Sequence, residues 1–256
     1  MPRSLQAKIL VIPDLHCRHH RIEEIIDQVR PLRTVFLGDT FDQFGDSPSE
    51  NADAAKWLRH SIHQSDRVHL IGNHDLPYCF DYNWLQIKQH GWTREKFKAI
   101  NRVMKSVDWA MLQVFHIQRP YLFSHAGLQA SYVNPMIDLS DLPDWVRQEE
   151  TDFWSRLYHN EHHWFLNRGK ARGGDHAFGG PLWADWKEMV VMPGWHQVFG
   201  HTPNQVIRTE GDEEGSITCI DTVSRDSEYP SYVGIVNAHG YHQRRTVDVL
   251  AGVEYP

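Results

Sequence analysis

The strongest constraint on the fold is an alternation running from Lys8 to Gly72. Lys8-Ile9-Leu10-Val11-Ile12, Thr34-Val35-Phe36-Leu37 and Val68-His69-Leu70-Ile71 are apolar runs of strand length, closed by Pro13, Gly38 and Gly72. Between the first two, Ile22, Ile25, Ile26 and Val29 recur at i, i+3, i+4 and i+7, one face of a helix that Pro31 stops. Between the second and third, Ala55, Leu58 and Ile62 mark a helix over about Asn51–His63, with Ser49 as its expected N-cap. Strand, helix, strand, helix, strand implies a parallel sheet with covered faces, because parallel strands need crossover connections that pack on the sheet.

The middle of the chain changes character. From Leu76 to Phe115 the pattern is helical, with Phe97, Ile100 and Val107 on one face, and Tyr121-Leu122-Phe123-Ser124 returns to strand. A stretch from Val133 to Trp186 carries Trp145, Phe153, Trp154, Trp164, Phe165 and Trp183, with a glycine-rich turn at Arg168–Gly174. These two regions, about 76–118 and 131–186, are expected as helical insertions, the second a cap with its own small aromatic core. Strand patterns resume at Gln197–Phe199, Ser216–Ile220 and Tyr232–Val236, with an edge strand near Arg244–Val249. Without a linker or an internal repeat, residues 1–256 read as a single domain.

Composition excludes several classes. Hydrophobic residues make up 41% and charged residues 23%, enough apolar material for a core and against disorder. No apolar run is long enough to cross a membrane. The opening residues enter a strand pattern without an apolar h-region, so no secretory signal is expected. A net charge of -7 argues against duplex nucleic acid as a partner, since phosphate backbones select basic faces. Cys17, Cys79 and Cys219 are widely spaced and odd in number, as free thiols in a reducing cytoplasm would be.

Function is concentrated where the strands end. The first strand runs into Asp14-Leu15-His16, the second into Gly38-Asp39-Thr40-Phe41-Asp42, the third into Gly72-Asn73-His74-Asp75. Tyr121–Ser124 is followed by His125-Ala126-Gly127, and Gln197–Phe199 by Gly200-His201-Thr202-Pro203. Ligand crevices in such sheets lie outside the carboxyl ends of the strands. Any one of these fragments is commonplace, but five in order aim carboxylate, amide and imidazole groups at one edge. That donor set suits divalent metals. Asp14 and His16 would serve one ion, Asn73, His125 and His201 a second, with Asp39 bridging. Two such ions clamp the oxygens of an in-line displacement at phosphorus and activate the bridging water.

The same five blocks resemble the calcineurin-like metallophosphoesterase superfamily from Asp14 to His201, and in detail the branch holding Ser/Thr protein phosphatases and diadenosine tetraphosphatases. The resemblance implies a two-sheet β-sandwich flanked by helices, an α/β fold. It also implies two divalent metal ions, manganese or iron with zinc, and a phosphorylated protein, small ester or nucleotide as substrate. By matched position, His74 would be the catalytic His that protonates the leaving group, with Asp42 holding its ring. Phosphomonoester hydrolysis is the first expectation. A dinucleotide polyphosphate hydrolase or phosphodiesterase is the nearer alternative, and a non-catalytic binding module the remote one.

Three departures bear on substrate. Gly200-His201-Thr202 is followed by Pro203 where nuclease and phosphodiesterase relatives carry a second His, and Asp14-x-His16 is followed by Cys17 rather than Gly. Asp42 is followed by Gln43 where the phosphatase branch has a phosphate-gripping Arg. Arg172 and Arg168, with Lys170 and Arg18, are the cations available to replace it. Asp75, Asp185 and Asp221 read equally as groups orienting the ligands or as solvated loop carboxylates. His19 and His20 are expected at the surface, as are His159, His162 and His163 of the cap.

Overall fold

The computed structural model describes residues 9–43, 45–80 and 90–222, and the backbone of 233–235. It is a mixed α/β structure of two sheets with helices packed outside them. The first sheet has the order β3-β2-β1-β9, from β1 (Ile9–Ile12), β2 (Arg33–Phe36), β3 (Arg67–His69) and β9 (Val233–Ile235). Its first three strands are parallel, and β9 lies antiparallel beside β1. The second sheet has the order β4-β5-β6-β8-β7. It comprises β4 (Phe115–Gln118), β5 (Tyr121–Ser124), β6 (His196–Phe199), β7 (Arg208–Gly211) and β8 (Ser216–Cys219), with β5, β6 and β8 parallel.

Side-chain alternation within the continuous apolar runs builds the layers. Ile9, Val11 and Val35 of the first sheet meet Tyr121, Phe123 and Val198 of the second in one buried cluster, with Leu37, Leu70 and Ile220 closing it. The alternate residues Leu10, Ile12 and Phe36 face outward onto Ile22 and Ile25 of α1 (Ile22–Val29). A one-residue slip would reverse both faces, so the register is strongly specified.

The helix α2 (Pro48–Ser61) starts before the expected Asn51, and its N-cap is Ser47 rather than Ser49. The reason is local. Ser47 Oγ accepts from Glu50 N while Ser47 N donates to the Glu50 carboxylate, and Pro48 supplies a preset φ for the first turn.

Within 76–118 stand α3 (Leu76–Cys79), α4 (Arg94–Val103) and α5 (Ser106–Trp109), but its last residues are β4, which turns back at Arg119-Pro120 to pair with β5. Within 131–186 the long helix is α6 (Leu142–Tyr158), and the remainder is loop with isolated 3-10 turns. Phe153 and Phe165 from that region pack with Phe115, Leu122 and the α3–α5 segment in one large cluster. β7, which pairs antiparallel with β8, carries no apolar alternation in the sequence because it is largely exposed. The predicted edge strand near 244–249 lies outside the described residues.

Candidate active site

Parallel strands bring five loops to one edge of the sandwich, and glycines let them interpenetrate there. A Cβ on Gly72 would lie 2.1 Å from Asp39 Oδ1, and one on Gly200 would lie 2.2 Å from Asp14 Oδ1. Only hydrogen fits at either position. Backbone hydrogen bonds fix the loop after β1 to the loop after β2: Leu15 N and His16 N both donate to Asp39 O, at 3.0 and 2.8 Å. Asp75 joins the loops after β2 and β3, its two oxygens accepting from Thr40 N at 2.7 Å and Gly72 N at 2.9 Å. It is buried, as are Asp185 and Asp221, so none of the three is a solvated loop carboxylate.

All six predicted metal-ligating residues converge. Asp14, His16 and Asp39 form one group of facing donor atoms, and Asp39, His125 and His201 a second. Asp39 belongs to both: its Oδ2 lies 3.9 Å from His16 Nε2 and 3.5 Å from His125 Nε2. His16 Nδ1 donates to Phe41 O at 3.0 Å and His125 Nδ1 to Leu37 O at 2.9 Å, so each neutral ring turns its Nε2 lone pair into the site. His125 Nε2 then faces Asn73 Oδ1 at 2.8 Å and His201 Nδ1 at 3.0 Å. Lone pairs gathered this closely repel one another unless cations sit among them. The donor set therefore fits divalent metal ions.

Electrostatics agree. Burial, reinforced by Asp39, pushes the Asp14 carboxyl well above its ordinary range, and burial with Asp14 does the same to Asp221. Burial alone would raise Asp39 too, but His125, His74 and His16 around it prevail and hold it low. A cation would replace the protons on the raised carboxyls.

His74 is adjacent but differently engaged. Its backbone N donates to Asp39 Oδ1 at 2.8 Å, and its Nδ1 meets Asp42 Oδ2 at 3.2 Å. Its ring stands edge-on to that of His16, 5.2 Å away. Burial lowers the affinity of its ring for a proton, but Asp39 and Asp42 overcome that and raise it to about 9.

The predicted substrate cations also reach this edge. Arg172 Nη2 donates to His201 O at 3.1 Å and Thr202 Oγ1 at 2.7 Å, while its Nε lies 3.0 Å from Asp185 Oδ2. Arg168 stacks over Trp183 at 3.9 Å, and the rings of Trp183 and His201 stand nearly perpendicular, 5.7 Å apart. Arg18 is turned to the carbonyls of Leu15 and Asp14, and Lys170 is exposed.

Two expectations about other histidines are corrected. His19 is buried, bonded to Cys17 O and stacked on Trp57, because α2 covers it; His163 is buried among Phe153, Trp164 and Phe165. His20, His159 and His162 are exposed. Tyr78 and Lys96, both bonded to Asp42, belong to no motif and were missed. Their only sequence signal is the place of Lys96 on the apolar side of α4 near Ile100.

Solved structures share the fold. The cold-active protein-tyrosine phosphatase of a psychrophilic Shewanella species superposes with a TM-score of 0.51 at 12% identity, over 84% of this chain and 71% of that one. A second structure of a cold-active protein tyrosine phosphatase gives 0.57 at 13%, over 89% and 73%. A protein serine/threonine phosphatase from Saccharomyces cerevisiae gives 0.50 at 16%, over 100% and 83%. A search of curated proteins by sequence finds no match. Residues 7–205 match the calcineurin-like phosphoesterase family, and the chain belongs to that family of phosphoester hydrolases.

Proposed function

We propose that the protein is a phosphomonoesterase holding two divalent cations, manganese or iron with zinc. Asp14, His16 and Asp39 would hold one, and Asp39, Asn73, His125 and His201 the other. The observation that carries the reading is the position of Asp39, whose single Oδ2 faces both His16 and His125. Bound there, the cations supply Lewis acidity and positive charge to the phosphoryl oxygens.

The chain's own groups do the rest. His74, with Nδ1 engaged by Asp42, carries its other proton at Nε2 and delivers it to the leaving-group oxygen. Asp75 keeps the loops bearing Asp39 and Asn73 in register. Arg172, immobilised by Asp185 and partly exposed, offers its charge to a phosphate beside His201, and Arg168 over Trp183 lines the same flank. The free thiols of Cys17, Cys79 and Cys219 support a reducing, cytoplasmic setting.

The test is turnover of p-nitrophenyl phosphate beside bis-p-nitrophenyl phosphate by manganese-reconstituted protein, with bound metal counted. A strong monoester preference is expected. A strong diester preference overturns the reading in favour of a phosphodiesterase or nucleotide hydrolase.

A further inference from the structure

Behind the His74–Asp42 pair lies a buried lysine that no motif accounts for. Lys96, on α4, is only 4% exposed. Its Nζ donates to Asp42 Oδ1 at 3.2 Å, to Gly91 O at 2.8 Å and to Asp46 Oδ1. An ammonium group this buried persists only when paired. Burial works against its charge, but Asp46 and Asp42 hold it protonated.

The arrangement divides the two oxygens of Asp42. Oδ1 accepts from Lys96 and, at 2.6 Å, from the Tyr78 hydroxyl; Oδ2 is left to His74 Nδ1. With one oxygen held by two donors, the carboxylate cannot rotate away from the imidazole. Gly91, at φ +98°, lets the chain pass close to this carboxylate, since an added Cβ would meet Asp42 Cβ and Cγ at 3.2 Å. Charge also balances. Asp42 and Asp46 are two carboxylates, and the Lys96 ammonium between them offsets one.

Asp46 is itself held by Gln43 N and Asn51 Nδ2, so the lysine is anchored at both ends. The Cys17 thiol also faces Asp46, pushed up to about 12 by burial and therefore neutral. Gln43 stands where related phosphatases carry a phosphate-gripping Arg. Here the cation that meets Asp42 comes from another element and from behind, with a side chain too buried to touch substrate.

We propose that Lys96 is a positioning residue that acts through Asp42 to hold His74 in the orientation that delivers a proton to the leaving group. The inference rests on the phosphoester-hydrolase reading of His74. It ties catalysis to the 76–118 segment, which carries Lys96, Gly91 and Tyr78 together.

The experiment compares wild type, Lys96→Met, Lys96→Arg, His74→Asn and the double variant His74→Asn/Lys96→Met. Substrates are p-nitrophenyl phosphate, whose leaving group needs little protonation, and phenyl phosphate, whose leaving group needs more. In Lys96→Met, kcat on phenyl phosphate should fall about 10-fold, part of the ~10²–10⁴ that general-acid catalysis supplies. On p-nitrophenyl phosphate the loss should be smaller, with KM and bound metal unchanged. Lys96→Arg should regain most of it. In the His74→Asn background, Lys96→Met should cost nothing further, the signature of two residues acting as one unit.

Equal losses on both esters, or an undiminished loss in the His74→Asn background, overturn the proposal. If His74→Asn is itself indifferent to the leaving group, the reading of His74 fails and the proposal falls with it. If His74→Asn is sensitive and Lys96→Met is not, the proposal alone fails. Should Lys96→Met not fold, Lys96→Met/Asp46→Asn removes the buried charges as a pair, and the same outcomes apply.

Discussion

Asp39 and Asp42 stand three residues apart on the loop after β2, both buried, yet their surroundings are opposites. Asp39 faces the sheet edge. One oxygen accepts from His74 N, and the other looks at two imidazole nitrogens whose protons are engaged elsewhere. Asp42 faces the α3–α4 segment, where a hydroxyl, an ammonium and an imidazole N–H occupy its oxygens. A carboxylate ringed by lone pairs calls for cations, and one ringed by protons has no room for them. Residue type did not separate these roles; the neighbours did.

The contrast is most easily broken at its ends. Asp39→Asn should strip metal from the protein and lower turnover by about 10³-fold or more, roughly 4 kcal/mol of barrier. Metal analysis beside kinetics checks it, and full metal content would refute the bridging role. Asp42→Asn should keep its metal and lose about 10²-fold in kcat on poor leaving groups. Metal loss there would erase the distinction between the two aspartates.

A smaller effect tests the bracing between loops. Asp75→Asn places an amide N–H₂ against Thr40 N or Gly72 N, donor facing donor. Metal affinity should weaken by about 10- to 100-fold, read by titration of metal-free protein. An unchanged affinity would mean that the glycine-packed loops hold Asp39 and Asn73 without it.

The smallest effect concerns His69, on the same strand that leads to His74 but out of reach of both aspartates. It is buried against Phe36, its Nε2 bonded to Ser61 Oγ, and burial, with Arg67 nearby, drives its affinity for a proton down to about 3. Above the ordinary value of about 6.5 both folded and unfolded forms are neutral and His69 contributes nothing. As pH falls below that, the unfolded chain binds a proton that the folded one refuses. Stability is lost, by about 2 kcal/mol between pH 6.5 and 5. Denaturation at pH 7 and 5 should show His69→Gln with a shallower pH dependence than wild type. Equal slopes would place the acid sensitivity elsewhere, His116 and His163 being held down to about 4 in the same direction.

Much of the candidate site was legible because its polar groups sit at strand ends. Asp14, His16, Asp39, Asn73, His125 and His201 each follow an apolar run within a few residues, and parallel pairing sends all those ends to one edge. The arginines were legible as candidates but not in their contacts, since Arg172 meets Asp185 and Thr202 only after its loop folds against the His201 turn. Tyr78 gave no signal, and Lys96 only its place near Ile100 on the apolar side of α4. They reach Asp42 across sequence separations of 36 and 54 residues, and nothing in a local pattern encodes such a distance.

By itself the sequence determined the β-α-β-α-β start, the polar strand ends and the glycines between them, because period, capping and steric limits act over a few residues. The tertiary structure decided which nitrogen of each histidine turns inward and which carboxylate meets protons rather than lone pairs. It also decided that a lysine from α4 meets Asp42 from behind. Those outcomes depend on groups brought together from distant parts of the chain, and at a few ångströms in a buried setting their mutual charges and hydrogen bonds set each group's role.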